Sequence, residues 1–357
     1  MFLFSSNRRN WFHWRTSLFL SLLSVVLLVG CAEVPSSSPV PTITSTPSVS
    51  KISRFPLPDK LSNPTGITSG PDGALWFTET SAGKIGRVTV QGKISEFPLP
   101  TADSHPYDIT SGPDGALWFI ETLDSAQAYS GKIGRITVQG KISEFPLPTD
   151  LSNQNGITSG PDGALWFTNR TPGVGRITPQ GKTIGFSLPD ELRVPAGITS
   201  GPDGALWFTE ILAGNIERIT VQGKISEFFM PSTGRPGEIT SGSDGALWFT
   251  EPIEGKIGRI TVQGKISEFP LPTSFGKLGE ITSGPDGALW FTESSSNTAV
   301  GPSQIRRITV QGKISDFPLP TDLSSPQGIT SGPDGALWFT DDEEGAIGRI
   351  TPQSTSS

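Results

Sequence analysis

Residues 69–77 read Ser-Gly-Pro-Asp-Gly-Ala-Leu-Trp-Phe, and this segment decides the fold. It occurs seven times in the chain with a single substitution, Ser243 in place of the proline. The copies follow one another at a nearly regular spacing, which their tryptophans mark: Trp76, Trp118, Trp166, Trp207, Trp248, Trp290 and Trp338. A period of about 40 to 50 residues that holds four short strands is typical of the blades of a β-propeller.

Each repeat contains four short segments with strand character. In the first repeat, Gly66–Ser69 and Ala74–Glu79 predict two strands around a Pro-Asp-Gly turn. Lys84–Val90 and Lys93–Phe97 predict two more strands, joined at a Gln-Gly turn. The repeats therefore predict an all-β, seven-bladed β-propeller with four-stranded blades. We expect the tryptophans to pack between neighbouring blades, and the Pro-Asp-Gly segment to form a tight hairpin turn rather than a calcium loop.

The two ends of the repeat region are incomplete in complementary ways. Lys51–Phe55 resembles the last strand of a repeat, whereas Ala346–Pro352, near the end of the chain, resembles a third strand. We therefore expect the N-terminal strand to complete the last blade and close the ring. The predicted organisation is a signal peptide (1–30), a Ser/Thr/Pro-rich tether (31–50), the propeller (51–353) and a short tail (354–357).

Residues 1–30 have the pattern of an export signal. A basic segment precedes an apolar segment, Ser17–Val29, which is shorter than the roughly 20 residues of a membrane-spanning helix. Leu28–Cys31 resembles the cleavage box of bacterial lipoproteins, in which the cysteine becomes the acylated first residue. An ordinary signal peptide with a chance cysteine is the alternative. We expect Cys31 to anchor the exported protein to a membrane of the cell envelope. That membrane is the outer one in a Gram-negative organism, because Ala32, not aspartate, follows the cysteine.

The composition restricts the class of partner. The chain has 34 acidic and 27 basic residues, so its net charge is −7 at pH 7 and a nucleic-acid partner is not expected. A single cysteine excludes an intramolecular disulfide. We expect a monomer that binds a small molecule or a protein on one face of the propeller.

Several segments of the repeats resemble one enzyme family. Gly-Ile-Thr, Leu-Trp-Phe-Thr-Glu, Lys-Ile-Gly-Arg-Ile-Thr and Lys-Ile-Ser-Glu-Phe-Pro-Leu-Pro are similar to the blades of streptogramin B (virginiamycin B) lyases. The similarity covers Lys51–Gln353, which is most of the chain. It implies a carbon–oxygen lyase that opens a cyclic depsipeptide antibiotic by elimination across its ester linkage. It also implies a magnesium ion and histidines that transfer protons near the start of the last two blades.

The positions that carry the chemistry in that family differ in this chain. Gly279 and Gln327 stand where the resemblance implies histidines. Ser325 stands where it implies a metal-linked glutamate, and Thr65 where it implies a tyrosine in the first blade. The catalytic set implied by the resemblance is therefore largely absent.

Few groups remain that could take over the chemistry. The chain has two histidines: His13 lies in the predicted signal peptide, and His105 lies in the second repeat, where we interpret it as a loop histidine. Glu280 and Asp342 are the remaining catalytic candidates, and Asp342 could replace the missing metal-binding carboxylate. A lyase with a rearranged site is thus one hypothesis for the function.

One face of the propeller holds nearly all the variation between repeats. The loops between blades and the loops between second and third strands lie there, with insertions at Leu123–Ser130 and Ser294–Pro302. Because a ligand site that differs from blade to blade must use varying residues, we expect ligands to bind on this face. We expect a ring of carboxylates at its channel mouth, from the ends of second strands and from three first strands. These acids are Glu79, Asp108, Glu121, Glu210, Glu238, Glu251, Glu280, Glu293 and Asp341.

Something must offset the repulsion within such a ring, and two hypotheses follow. In the first, arginines on the third strands, such as Arg87, pair diagonally with the glutamates. In the second, Glu238, Glu280 and Glu293 bind Mg²⁺ or Ca²⁺ through their oxygens. The overall function that we favour is a ligand- or partner-binding envelope propeller that has lost the lyase residues. A C–O lyase and a structural surface protein are the alternatives.

Overall fold

Seven four-stranded antiparallel sheets follow one another along the chain in a computed structural model of the protein. The structure describes residues 51–352, apart from 124–129, 152, 171–172, 189–192, 232–233, 273–275 and 296–300. The predicted signal peptide, Cys31, the tether and the tail lie outside the described residues, as do large parts of both insertions. Within the described ranges, no helix is long and apolar enough to cross a membrane.

The strands run from the channel outward in each blade. β1 (Ile52–Pro56) precedes blade 1, which contains β2 (Pro64–Ser69), β3 (Ala74–Glu79), β4 (Lys84–Thr89) and β5 (Ile94–Pro98). Blade 2 contains β6 (Ser104–Ser111), β7 (Ala116–Leu123), β8 (Ser130–Thr137) and β9 (Ile142–Pro146). After a short 3-10 helix (Thr149–Leu151), blade 3 contains β10 (Gln154–Ser159), β11 (Leu165–Asn169), β12 (Gly173–Ile177) and β13 (Thr183–Ser187). Blade 4 contains β14 (Pro195–Ser200), β15 (Leu206–Glu210), β16 (Asn215–Ile219) and β17 (Ile225–Phe229).

The last three blades follow the same order. Blade 5 contains β18 (Ile239–Ser241), β19 (Ala246–Glu251), β20 (Lys256–Thr261) and β21 (Ile266–Pro270). Blade 6 contains β22 (Gly276–Ser283), β23 (Leu289–Ser295), β24 (Gln304–Ile308) and β25 (Ile314–Pro318). Blade 7 contains β26 (Pro326–Ser331), β27 (Leu337–Asp341) and β28 (Ala346–Ile350). The first strand of each blade contacts the first strand of the next, and β2 contacts β26, so the blades form a closed ring.

The N-terminal strand completes blade 7. β1 pairs antiparallel with β28, with Ile52 opposite Ile350 and Phe55 opposite Ile347. The Phe55 ring stacks on Trp338 with 5.2 Å between ring centroids. The predicted seven-bladed, four-stranded propeller, closed by the N-terminal strand, is therefore confirmed.

Each blade carries the same polar clamp around its tryptophan. In blade 1, Trp76 Nε1 donates a hydrogen bond to Asp72 Oδ1 (3.0 Å), and Arg87 Nε donates to Asp72 Oδ2 (2.7 Å). The aspartate lies in the Pro-Asp-Gly turn, where Gly73 has φ of 73°, a value that favours glycine. The Trp76 ring packs against Leu117 of blade 2. The predicted inter-blade packing of the tryptophans and the hairpin-turn interpretation are both confirmed.

A closed circle of hydrogen bonds surrounds the channel at the ends of the first strands. The hydroxyl of each strand-end serine donates to the carbonyl oxygen of the equivalent serine in the preceding blade, over distances of 2.5 to 2.6 Å. The seven serines are Ser69, Ser111, Ser159, Ser200, Ser241, Ser283 and Ser331. Every blade is therefore bonded to its neighbour along the inner wall, including blade 1 to blade 7.

Two blades depart from the repeat in the middle of the third strand. Five blades have glycine there, because the phenylalanine of the second strand fills the space. A Cβ on the glycine would lie only 2.0 to 2.1 Å from the nearest atom of the phenylalanine ring. Blade 4 has Glu217 instead, which is buried and ion-paired with Arg193. Blade 6 has Arg306, which is buried and ion-paired with Glu293 (3.0 Å). Each buried charge therefore has an opposite charge beside it.

Candidate functional site

A cavity of about 350 Å³ opens at one end of the channel. The starts of the first strands and the tips of three loops between second and third strands line it, including Arg170, Ile211 and Pro252. The residue before the repeated isoleucine of each first strand lies at this level. It is glycine in four blades and an acid in three: Gly66, Asp108, Gly156, Gly197, Glu238, Glu280 and Gly328.

Glycine at this position leaves room for a neighbouring strand, and two acids use that space. A Cβ on Gly328 would lie only 2.4 Å from a backbone carbonyl oxygen of blade 1. Asp108 reaches the next blade, where its Oδ2 accepts a hydrogen bond from the N–H of Ile157 (2.8 Å). Glu280 does the same, because its Oε2 accepts from the N–H of Ile329 (3.0 Å). Both carboxylates therefore bridge two blades.

Glu238 is held differently, because the next blade has Glu280 rather than glycine at the matching position. Its carboxylate turns toward blade 4, where Oε2 lies 2.8 Å from the point that a Cβ on Gly197 would occupy. The backbone N–H of Glu238 donates to Thr250 Oγ1 (3.1 Å). Among the described residues, however, no group donates a hydrogen bond to its carboxylate. Glu238 thus lacks the backbone donor that each of the other two channel acids has.

The three acids interact electrostatically across the channel. Burial raises the pKa of Asp108 to about 6, against the hydrogen bonds from two backbone N–H groups. Burial and the charge of Asp108 raise the pKa of Glu238 to about 7, while Lys277 acts in the opposite direction. Burial and the charges of Asp108 and Glu238 raise the pKa of Glu280 well above its usual value. Because like charges this close disfavour joint ionisation, the group does not carry three full charges at neutral pH.

An aromatic ring and two cations complete the cavity wall, and none of the three was predicted as a site residue. Tyr107 is 51% exposed as a whole residue, but desolvation of its hydroxyl and the charges of the channel acids raise its pKa. Arg170 Nε donates to Asn155 Oδ1 (3.1 Å), which orients the guanidinium at the rim. Lys277 is exposed and lies in β22, where it lines the cavity. These residues vary between repeats, and that variation was the signal that could have identified them.

The acids at the ends of the second strands do not reach the cavity, contrary to the prediction. Their side chains are at most 1% exposed and lie inside the blades. They are Glu79, Glu121, Glu210, Glu251, Glu293 and Asp341. Side chains alternate along a strand. Thr78 Oγ1 points to blade 2 and donates to the Tyr107 carbonyl oxygen (2.7 Å), so the next residue, Glu79, points to the opposite face of the sheet.

Burial changes the protonation of several of these acids. It raises the pKa of Glu79 and of Glu251 to about 7, and the pKa of Asp341 to about 6. Glu121 is stabilised by Ser104 Oγ, which donates to it, and by Lys132 Nζ at 3.5 Å. These carboxyls therefore belong to the interior of the blades and not to a ligand-binding ring.

The predicted diagonal pairing of glutamates with third-strand arginines is also wrong. In all seven blades the arginine pairs with the turn aspartate, as Arg87 does with Asp72, at 2.6 to 2.7 Å. Hydrogen bonds from Trp76 and Arg87 lower the pKa of Asp72, against the effect of its burial. The pairing follows from the strand register, because Arg87 lies opposite Trp76, near the turn and away from Glu79.

The predicted three-carboxylate metal site is not formed. Glu293 is separated from the cavity, since its carboxylate accepts a hydrogen bond from Gln304 Nε2 (2.8 Å) and pairs with Arg306. Glu238 and Glu280 do line the cavity, together with Asp108. Across the described ranges, no group of three or more His, Cys, Asp or Glu side chains is arranged to hold a metal ion.

The residues at the positions of the implied lyase machinery do not fit histidines and magnesium. A Cβ on Gly279 would lie 2.4 Å from Thr292 Oγ1, so a larger side chain requires Thr292 to move. Gln327 Nε2 donates to Ser325 Oγ (3.2 Å), so these two neutral side chains are bonded to each other. Neither provides the anionic oxygen or imidazole nitrogen that the resemblance implies.

The other catalytic candidate, Asp342, and the histidine of the second repeat, His105, lie apart from the cavity wall. Asp342 follows β27, where its N–H donates to the Ser325 carbonyl oxygen (3.2 Å), and it is not a lining residue. His105 lies in strand β6, so its interpretation as a loop histidine is wrong. Its Nδ1 is 3.0 Å from the Thr80 carbonyl oxygen and therefore donates to it. Of the proposed catalytic residues, the structure brings only Glu280 into the cavity.

Comparison with known proteins identifies one family over nearly the whole propeller. The model of the virginiamycin B lyase family matches residues 40–236 and 230–356. A solved streptogramin B lyase structure is 38% identical, with a TM-score of 0.77, and the match covers 86% of this chain and 99% of that one. Virginiamycin B lyase from Staphylococcus aureus is 40% identical, with a TM-score of 0.76 and coverage of 85% and 99%.

A third solved structure bears on the chemistry. It is a catalytically inactive virginiamycin B lyase from Staphylococcus aureus, in which a histidine is replaced by alanine, crystallised with quinupristin. It is 38% identical to this chain with a TM-score of 0.76, and the match covers 85% of this chain and 99% of that one. In that protein, loss of one histidine accompanies loss of catalysis. No histidine lines the cavity formed by the described residues of this chain.

Proposed function

This chain belongs to the virginiamycin B lyase family, and from that premise we propose that it binds a small-molecule ligand without the histidine-dependent lyase reaction of its relatives. The main support is the axial cavity. It has a volume of about 350 Å³, three carboxylates and two cationic side chains, but no histidine among its described lining residues. A concave site with a few convergent polar groups is typical of ligand binding.

The missing groups argue against the lyase reaction specifically. Elimination across an ester needs a base that removes a proton and an acid or cation that stabilises the leaving carboxylate. Gln327 and Gly279 supply neither at the family positions. Glu280 is the remaining titratable candidate there, and its carboxylate accepts a hydrogen bond from the Ile329 N–H (3.0 Å), which orients it toward blade 7.

Incubation with quinupristin tests the loss of lyase activity. We expect this protein to open the antibiotic at least about 100-fold more slowly than the Staphylococcus aureus enzyme, because a positioned acid or base contributes on the order of 10²–10⁴-fold. Ring opening by elimination leaves the mass unchanged, so the products are separated by chromatography and assigned by fragment ions. Opening at the rate of the relative, abolished in Glu280→Gln and retained in Glu343→Gln, would instead establish a lyase with a rearranged site.

We further propose that the protein acts at the cell envelope, anchored through lipid on Cys31. The support comes from the signal-like pattern of residues 1–30 and from the single cysteine. In cells fed a radiolabelled fatty acid, we expect label in the wild-type protein and none in Cys31→Ser. We also expect Cys31→Ser to leave the membrane fraction. Equal labelling of both proteins contradicts a lipid anchor at this residue.

A further inference from the structure

Glu238 is a half-buried carboxylate that lines the cavity without a hydrogen-bond donor from the described part of the chain. Burial is the largest influence on its pKa, yet no backbone or side-chain group among the described residues donates a hydrogen bond to it. Asp108 and Glu280 each have a backbone N–H of the next blade as donor. Because the chain offers this half-buried carboxylate no donor in exchange for the water that it loses, a donor or a cation supplied from outside the chain would be favoured there.

The protein's own cations do not fill this role. Lys277 lowers the pKa of Glu238 by its charge, but it is exposed and forms no ion pair within the described part of the chain. Arg170 is held at the rim by Asn155 Oδ1 at 3.1 Å. The interior of the cavity is therefore acidic, with the cationic side chains at its edge.

An aromatic side chain lies close to the same acids. Desolvation has the largest effect on the pKa of the Tyr107 hydroxyl, and the charges of Glu238, Glu280 and Asp108, in that order, raise this pKa further. Tyr107 lines the cavity, and the residue is half exposed. Carboxylates bind ammonium groups through ion pairing, and an aromatic residue in the same cavity wall can add cation–π attraction.

We propose that the axial cavity binds the ammonium group of a small organic cation, with the Glu238 carboxylate as its anchor and Tyr107 in the same cavity wall. This inference rests on the proposed ligand-binding function and specifies the chemical class of the ligand. Asp108 adds attraction at longer range when it is ionised, whereas Lys277 and Arg170 at the rim favour a ligand that also carries a hydrogen-bond acceptor or an anionic group.

Two matched pairs of ligands test the charge preference on the full-length protein. Choline is compared with its neutral isostere 3,3-dimethyl-1-butanol, and 1-butylamine with 1-butanol, by isothermal titration calorimetry and thermal shift. We expect each cation to bind at least about tenfold more tightly than its neutral counterpart. Glu238→Gln removes this preference, and Glu343→Gln, which changes an exposed acid of blade 7, leaves it intact.

The pH dependence supplies a readout that separates ion pairing from simple loss of structure. The cation binds ionised Glu238, so affinity is lost as pH falls through the pKa of about 7. We expect binding about tenfold tighter at pH 8 than at pH 6, with proton release on binding. Other titratable or charged groups line the same cavity, namely Asp108, Glu280, Tyr107, Lys277 and Arg170. The same titrations are therefore run in Glu238→Gln, where we expect the affinity to depend much less on pH.

The outcomes distinguish the two proposals. If a neutral ligand binds as tightly as its cationic partner, the ammonium assignment is overturned while the ligand-binding function stands. The same holds if Mg²⁺ alone shifts the melting temperature and Glu238→Gln abolishes that shift. If no member of either pair, no Mg²⁺ and no quinupristin binds, the ligand-binding function fails and the structural surface protein is favoured.

Discussion

Arg193→Ala is expected to lower the free energy of unfolding by about 3–5 kcal/mol, because it leaves a buried carboxylate without its counter-charge. Glu217 has no solvent exposure and pairs with Arg193, which also reaches Glu227 at 2.7 Å. Removing the guanidinium therefore strands a charge inside blade 4. The loss of unfolding free energy is measured from urea unfolding curves, provided that the variant and the wild type have the same m value.

A double variant separates the ion pair from the packing of the arginine. Glu217→Gly restores the residue of five other blades, so Arg193→Ala combined with Glu217→Gly is expected to recover much of the lost stability. The exposed Arg235→Ala serves as the control, with a change within about 0.5 kcal/mol. If the double variant is no more stable than Arg193→Ala, the buried charge is not the cause of the loss.

Trp338→Ala is expected to cost about 3–5 kcal/mol, as much as Trp118→Ala in an interior blade. Both rings are fully buried, and each stacks on a phenylalanine of the fourth strand, Phe55 at 5.2 Å and Phe145 at 5.4 Å between centroids. The partner of Trp338 comes from the opposite end of the chain. Equal losses therefore indicate that the closing blade is packed as tightly as a blade of continuous sequence.

A double-mutant cycle isolates the contact that closes the ring. Trp338→Ala, Phe55→Ala and the double variant are compared by urea unfolding, and the coupling energy is expected to be about 0.5–1.5 kcal/mol. The Trp118 and Phe145 cycle is the matched reference. Zero coupling for Trp338 and Phe55, with normal coupling in the reference, contradicts a well-packed closing strand.

The repeats were sufficient to predict the fold because each one carries the same local signals. The Pro-Asp-Gly turn, the alternating strand residues and the tryptophan all indicate the same blade structure, and these signals occur in all seven repeats. The lone N-terminal strand then specified the closure. The Asp72 interaction with Trp76 and Arg87 was not predicted, because the distance between these side chains depends on the register of two strands.

The site was predicted only in part, and the reason is the pleat of the strands. Asp108, Glu238 and Glu280 were placed correctly at the channel mouth, because they replace a glycine on the innermost strand. Glu251 and its equivalents were placed wrongly, because a shift of one residue along a strand turns a side chain to the other face. The sequence position of each acid predicted its strand but not the face of the sheet to which its side chain points.

The seven hydrogen bonds in the circle of serines all run in the same direction, so each blade is a donor to one neighbour and an acceptor from the other. Each hydroxyl donates its hydrogen bond to a carbonyl oxygen of the preceding blade, from blade 2 to blade 1 and finally from blade 1 to blade 7. Because each bond ends on a backbone carbonyl oxygen, replacing one serine by alanine removes its bond to the preceding blade and leaves the bond that it accepts from the following blade. The inner wall is thus a circuit without a terminus, although the polypeptide that builds it has two.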